Sequence, residues 1–117
     1  MKFLAIIGLF FGLAAHAEVA NSKYSARHQS LLQKAVYDAC GAYGQVTQLS
    51  TTEVEDRIDQ GVIDTYYTTQ LELYVRIDQG VRDTYLVEVK SAQYSAYDHE
   101  AKDWGIYEIL SASCELQ

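Results

Sequence analysis

Positive charge is scarce in this sequence: 9 lysines and arginines stand against 16 aspartates and glutamates, for a formal net charge of −7. Nucleic acid and anionic lipid headgroups both recruit basic surfaces, so neither is expected as a partner. Long apolar runs are lacking as well. The longest covers thirteen residues, Phe3 to Ala15, short of the roughly 20 that a helix needs to cross a bilayer. Cysteine is confined to Cys40 and Cys114, with no Cys-x-x-Cys spacing and only two histidines outside the first seventeen residues, which leaves a zinc or redox centre without ligands. Gly-x-Ser-x-Gly, His-Glu-x-x-His and glycine-rich phosphate loops are absent too, and with them the usual marks of serine hydrolases, zinc proteases and nucleotide binders. No cofactor, metal or catalytic set is assigned.

What is present begins with "MKFLAIIGLFFGLAAHA", in which Lys2 precedes the apolar run and the triplet Ala15, His16, Ala17 closes it. This pattern predicts a signal peptide over 1–17, cut before Glu18. No cysteine follows the cut to carry a lipid, so no membrane anchor is expected after cleavage. The remaining residues, 18–117, are expected to form a single exported domain, periplasmic or extracellular. Without Lys2 there are 8 basic residues against 16 acidic ones, a formal charge of −8. That charge suits a basic protein partner or a cationic ligand, although solubility alone accounts for it. Export to an oxidising compartment predicts a disulfide between Cys40 and Cys114.

Between Ser22 and Cys40, residues Leu31, Leu32, Ala35, Val36 and Ala39 recur at the three-and-four spacing of one helix face. Ser22 or Ser25 is placed to cap the start, and Gly41 to end it in the left-handed conformation. His28 is expected on the helix surface, beside the stripe. From Gln45 onward Val, Ile, Thr and Tyr dominate, the residues of a pleated, half-buried surface. Strands are predicted at Gln45 to Ile58, Ile63 to Ile77, Val81 to Ala92 and Ile106 to Leu116. In the second, Thr69, Leu71, Leu73 and Val75 alternate with Gln70, Glu72, Tyr74 and Arg76 across the two faces. The first strand is poorly patterned, with Val46, Val54 and Ile58 on one side. In the last, Ile106, Leu110, Ala112, Cys114 and Leu116 share a face.

"RIDQGVIDTY" at Arg57 to Tyr66 returns as "RIDQGVRDTY" at Arg76 to Tyr85. Each Asp-Gln-Gly lies between strand-like runs, where glycine supplies the positive backbone angle of a hairpin turn, so the copies are predicted to be two turns at opposite ends of one long strand. Their offset of nineteen residues is odd, which would put Ile58 and Ile77 on opposite faces. A β-bulge in the long strand near Tyr66 to Thr69, or unequal turns, would restore the alternation.

The fold class expected is α+β: one N-terminal helix packed on a curled four-stranded antiparallel meander. That order resembles the architecture of cystatin-like secreted domains. The likeness stops at architecture, because the Gln-x-Val-x-Gly segment is missing from both turn regions and a chain with no proline has no Pro-Trp hairpin.

Two groups of residues stand out as candidates for function. Asp98, His99, Glu100 and Asp103 crowd into "YDHEAKDW", but a polar turn needs such residues and neighbours in an extended loop rarely converge. The ten tyrosines are more unusual. Tyr67 and Tyr85 belong to the core face, Tyr66 and Tyr74 to the opposite face with Arg76, and Tyr94, Tyr97 and Trp104 surround the last turn. Tyrosine, tryptophan and arginine anchor protein interfaces, so Tyr66, Tyr74, Arg76, Tyr94, Tyr97 and Trp104 form a candidate binding surface. Cross-strand aromatic pairs that only stabilise the sheet are the alternative. The function expected is a non-catalytic binding or inhibitor-type module. A small-molecule site or small enzyme, with a pocket between helix and sheet, is the rival.

Overall fold

The computed structural model describes residues 19–117 apart from 21, 23, 58–62 and 101. The leader expected at 1–17 and the first Asp-Gln-Gly turn at 59–61 lie outside the described residues. Helix α1 spans Ala26–Cys40. Of the two candidate caps, Ser25 is the one used: its Oγ accepts the backbone N–H of His28 at 3.3 Å, satisfying a donor that a helix start leaves over. Gly41 ends the helix at φ 65° and donates its N–H to the Tyr37 carbonyl.

Four strands follow, β1 (Gln45–Arg57), β2 (Ile63–Asp78), β3 (Val81–Asp98) and β4 (Asp103–Leu116). Each pairs antiparallel with its neighbours in sequence, in the order β1-β2-β3-β4. The result is an α+β meander with the helix on one face, packed against β3 and β4. The second copy of the repeat is a hairpin turn: Asp78 pairs with Val81, and Gly80 between them has φ 89°.

The long strand does carry an irregularity, at Ile77 of β2 beside the second turn, and β1 carries a separate one. β2 keeps unbroken register from Ile63 to Arg76, while extra residues sit at Leu49 in β1 and at Ile77 next to the turn. The irregularity of β2 therefore lies at Ile77 and not near Tyr66 to Thr69, for a packing reason. Thr69, Leu71 and Leu73 are all 0% exposed, and a bulge among them would turn part of that row to solvent. In an edge strand the same irregularity disrupts a ladder on one side only. Beyond Leu49, Thr51 and Glu53 stand opposite Thr69 and Tyr67 on the helix side, which sends Val54 to the other face, opposite Tyr66 and 67% exposed. Val46 and Val54 thus do not share a side as their spacing suggested.

β4 carries a similar correction. Lys90 pairs with Ser111 and Ser91 with Ile109, leaving Leu110 as the extra residue. Ala112 and Cys114 keep the helix side, but Ile109 and Tyr107 replace Leu110 and Ile106 there. The last hairpin is also longer than predicted, because Gln93 to Asp98 pairs with β4 from Tyr107 to Asp103 despite its weak β pattern.

The core joins Leu32 and Val36 of α1 to Val46, Leu71, Leu73, Val87 and Val89 of the sheet. Each fully buried Val or Leu contributes about 2 kcal/mol relative to exposure. Cys40 at the helix end is bonded to Cys114 of β4 with a Cα–Cα separation of 5.3 Å, as expected. Ahead of the helix, Val19 is buried and Ala20 bridges β1, its N–H donating to the Val46 carbonyl and its carbonyl accepting from the Gln48 N–H. Fifteen helical residues span about 22 Å, whereas strands of 16 and 18 residues run to about 55 Å. The strands therefore extend beyond the helix, and the places of functional interest lie along these overhangs.

Candidate functional site

Nearest the helix start lies a polar cluster that the sequence did not announce. His28 is 1% exposed, not on the helix surface as expected. Its ring stacks on Tyr107 at 4.8 Å and lies 4.2 Å from Tyr24 and 5.2 Å from Tyr67, and its Nε2 is 3.0 Å from the Ser91 Oγ. Burial holds the imidazole down at about 4, in the neutral form. The Tyr24 hydroxyl meets Thr51 and Thr69, and the Tyr67 hydroxyl donates to Gln93 at 3.0 Å. A serine and histidine at this distance have the separation of an activated nucleophile. Here both are buried under tyrosine rings, with Ser91 0% exposed, so the pair is placed to satisfy its own polar atoms in the core. A signal for this was present: His28, Leu32 and Val36 recur every fourth residue, one row of α1.

Past the helix start, the β3–β4 end presents aromatic surface. Trp104 is 69% exposed, with Tyr97 edge-on at 5.2 Å and His99 packed on Tyr97 at 5.0 Å. A concavity of about 260 Å³ adjoins the indole, lined by Glu55 of β1, Ile63 and Thr65 of β2, Gln93 and Ser95 of β3, and Trp104 and Gly105 of β4. Gly105, at φ 100°, lets the Gln93 side chain lie against β4, where a Cβ would stand 2.8 Å from its Nε2. Arg27 braces this end. Its guanidinium lies over Tyr107 at 4.9 Å, donates to the Gly105 carbonyl and pairs with Asp98 at 3.5 Å. Asp64 accepts the Ser95 N–H at 3.0 Å.

The six tyrosine, arginine and tryptophan candidates do not form one surface. Tyr97 and Trp104 belong to the end just described. Tyr66 and Tyr94 face each other at 6.5 Å on the sheet face turned away from α1, beside Ala92, which is 0% exposed opposite Tyr66. The Tyr94 hydroxyl donates to Glu108 at 2.5 Å, and this bond pushes its pKa up to about 12. Tyr74 and Arg76 lie at the opposite end of the sheet, near the β2–β3 turn. Of the "YDHEAKDW" carboxylates, Asp98 pairs with Arg27 and also accepts the Glu100 N–H. Among the described residues no group of three or more His, Cys, Asp or Glu is arranged to hold a metal ion, and no helix is long and apolar enough to cross a membrane.

Comparison of the chain with protein-family models, curated proteins and solved structures finds no match, so the reading of function rests on this geometry alone.

Proposed function

We propose that the protein is an exported, non-catalytic binding module that docks a basic protein partner at the β3–β4 end, taking a lysine or arginine side chain between Glu55 and Trp104. The observation that carries this reading is the concavity itself. Its lining includes Glu55, Thr65, Gln93, Ser95 and the exposed Trp104, around one space of side-chain size. A cation over a tryptophan face gains from the ring quadrupole, and a carboxylate adds a charge-assisted hydrogen bond. The acidic balance of the chain would speed approach of such a partner. The leader pattern at 1–17 supports export, and the Cys40–Cys114 disulfide is compatible with it. The centre of the helix–sheet interface is filled by Leu32, Val36, Leu71, Leu73, Val87 and Val89 at 0% exposure, and the rival pocket has its space at the edge, about 380 Å³ between α1 and β4 lined by Leu31, Lys34, Ala35, Asp38, Ile109 and Ala112.

Trp104 is the only tryptophan, so its fluorescence reports on the site directly. Titration with arginine- and lysine-containing peptides should shift the emission saturably and less so as salt rises, and Glu55→Gln should weaken the affinity about tenfold. Emission that does not respond at low salt, or an undiminished affinity in Glu55→Gln, would refute the proposal.

A further inference from the structure

We infer that the β2–β3 turn end, on the sheet face turned away from α1, is a second site that binds a compact oxyanion, a phosphate or carboxylate group, between Arg76 and Arg82. These residues are direct cross-strand partners, a position where like charges oppose folding. Neither is in an ion pair among the described residues, and a chain with net charge −7 has no need of cations for solubility. The arrangement is explained if an anion completes it.

The surroundings are built rather than incidental. Tyr74, two residues before Arg76 on the same face, receives a hydrogen bond from Arg82 Nη1 at 3.2 Å, and the Arg82 guanidinium lies 5.3 Å from the Tyr74 ring centre. Arg82 is thereby held, with its planar fork pre-set for bidentate contact. The opposite wall is the turn after α1. Gly44 lies so close to β2 that a Cβ would fall on the Tyr74 carbonyl, and its own carbonyl accepts the Tyr37 hydroxyl at 2.7 Å. This seats Tyr43 at the rim, edge-on to Tyr37 at 4.9 Å. Tyr43, Gly44, Gln45, Tyr74, Arg76 and Arg82 line an open concavity of about 410 Å³, space for an anionic group with a small organic body. Two guanidinium forks beside a tyrosine hydroxyl suit a group with several oxygens. The site lies at the far end of the sheet from Trp104 and is independent of the partner proposed there.

The experiment follows the side-chain Nε–Hε signals of the arginines in the oxidised protein as inorganic phosphate, and separately succinate, is titrated at constant ionic strength. Saturable shifts of Arg76 and Arg82 are expected, with Arg27 and Arg57 unmoved as internal references. Tighter phosphate binding would identify a phosphate ligand, and tighter succinate binding a carboxylate one. Arg76→Ala and Arg82→Ala should each weaken binding about tenfold, with Arg76→Lys intermediate because it keeps charge without the fork. Uniform small shifts of every arginine, or unchanged affinity in Arg76→Ala with a native backbone spectrum, would overturn the inference.

Discussion

At the scale of single residues, His28 is the clearest case of context overruling type. It was expected on the helix surface, yet its row with Leu32 and Val36 carries it under the rings of Tyr24, Tyr67 and Tyr107. The energetic consequence has a definite sign. Burial depresses the imidazole from 6.5 to about 4, so below pH 6.5 the unfolded chain binds a proton that the folded chain refuses. The stability that neutral His28 provides is complete above pH 6.5 and is lost as pH falls to about 4, by roughly 3 kcal/mol in all. Urea unfolding should show this loss between pH 6.5 and 5, before carboxylates dominate, and His28→Gln should flatten the curve there. Equal slopes for the two proteins would show that His28 does not govern the effect. The row was legible in the sequence, but the company it keeps was not. Ser91 and Tyr107 reach His28 from strands that lie 63 and 79 residues further along the chain.

At the scale of elements, local signals did well wherever a few neighbouring residues decide the outcome. Ser25 and Gly41 bound the helix, and Gly80 closes a two-residue turn after Asp78. Since Gly80 has φ 89° and open space around its Cβ direction, Gly80→Ala meets backbone strain and no clash. A loss of about 1 kcal/mol is expected, smaller for Gly80→Asn, which tolerates the left-handed region better. Denaturant midpoints of the two variants measure it. Unchanged stability with altered binding would instead mark the repeated segment as a recognition motif. Strand faces were read less well. Alternation was legible in β2, whose helix-side row runs without interruption, but the extra residues at Leu49 and Leu110 invert the faces of β1 and β4 partway along. A single unpaired residue reverses every later side chain, and its position depends on the partner strand.

At the scale of the molecule, one covalent link joins the two regions of the chain that form the layers. Cys40 and Cys114 are 74 residues apart, so the bond removes much of the freedom of the unfolded chain, about 4 kcal/mol in the chain-entropy model. A domain of this size commonly has only 5–15 kcal/mol in total. The Cys40→Ala, Cys114→Ala protein should therefore unfold at a markedly lower urea midpoint than the oxidised protein, and reduction of the wild type should reproduce the shift. A midpoint that moves by less than the equivalent of 1 kcal/mol would mean that helix and sheet packing alone holds the layers together. The two proposed sites differ in the scale of their organisation. Glu55 of β1 and Trp104 of β4 come to one concavity only through the arrangement of the whole sheet, whereas Arg76 and Arg82 are brought together locally, across the β2–β3 hairpin.

By itself, the sequence determined the order of helix and strands, the Gly41 end of α1, the second hairpin turn and the pairing of its two cysteines. Each of these follows from residues in local contact, or from there being one pair to make. The tertiary structure alone decided where the ladders slip by a residue, which side of β1 and β4 faces the helix, that His28 is buried, and that the tyrosine, tryptophan and arginine candidates divide between two ends of the sheet. Those outcomes rest on register between strands, and register is settled by which side chains the whole core can bury together.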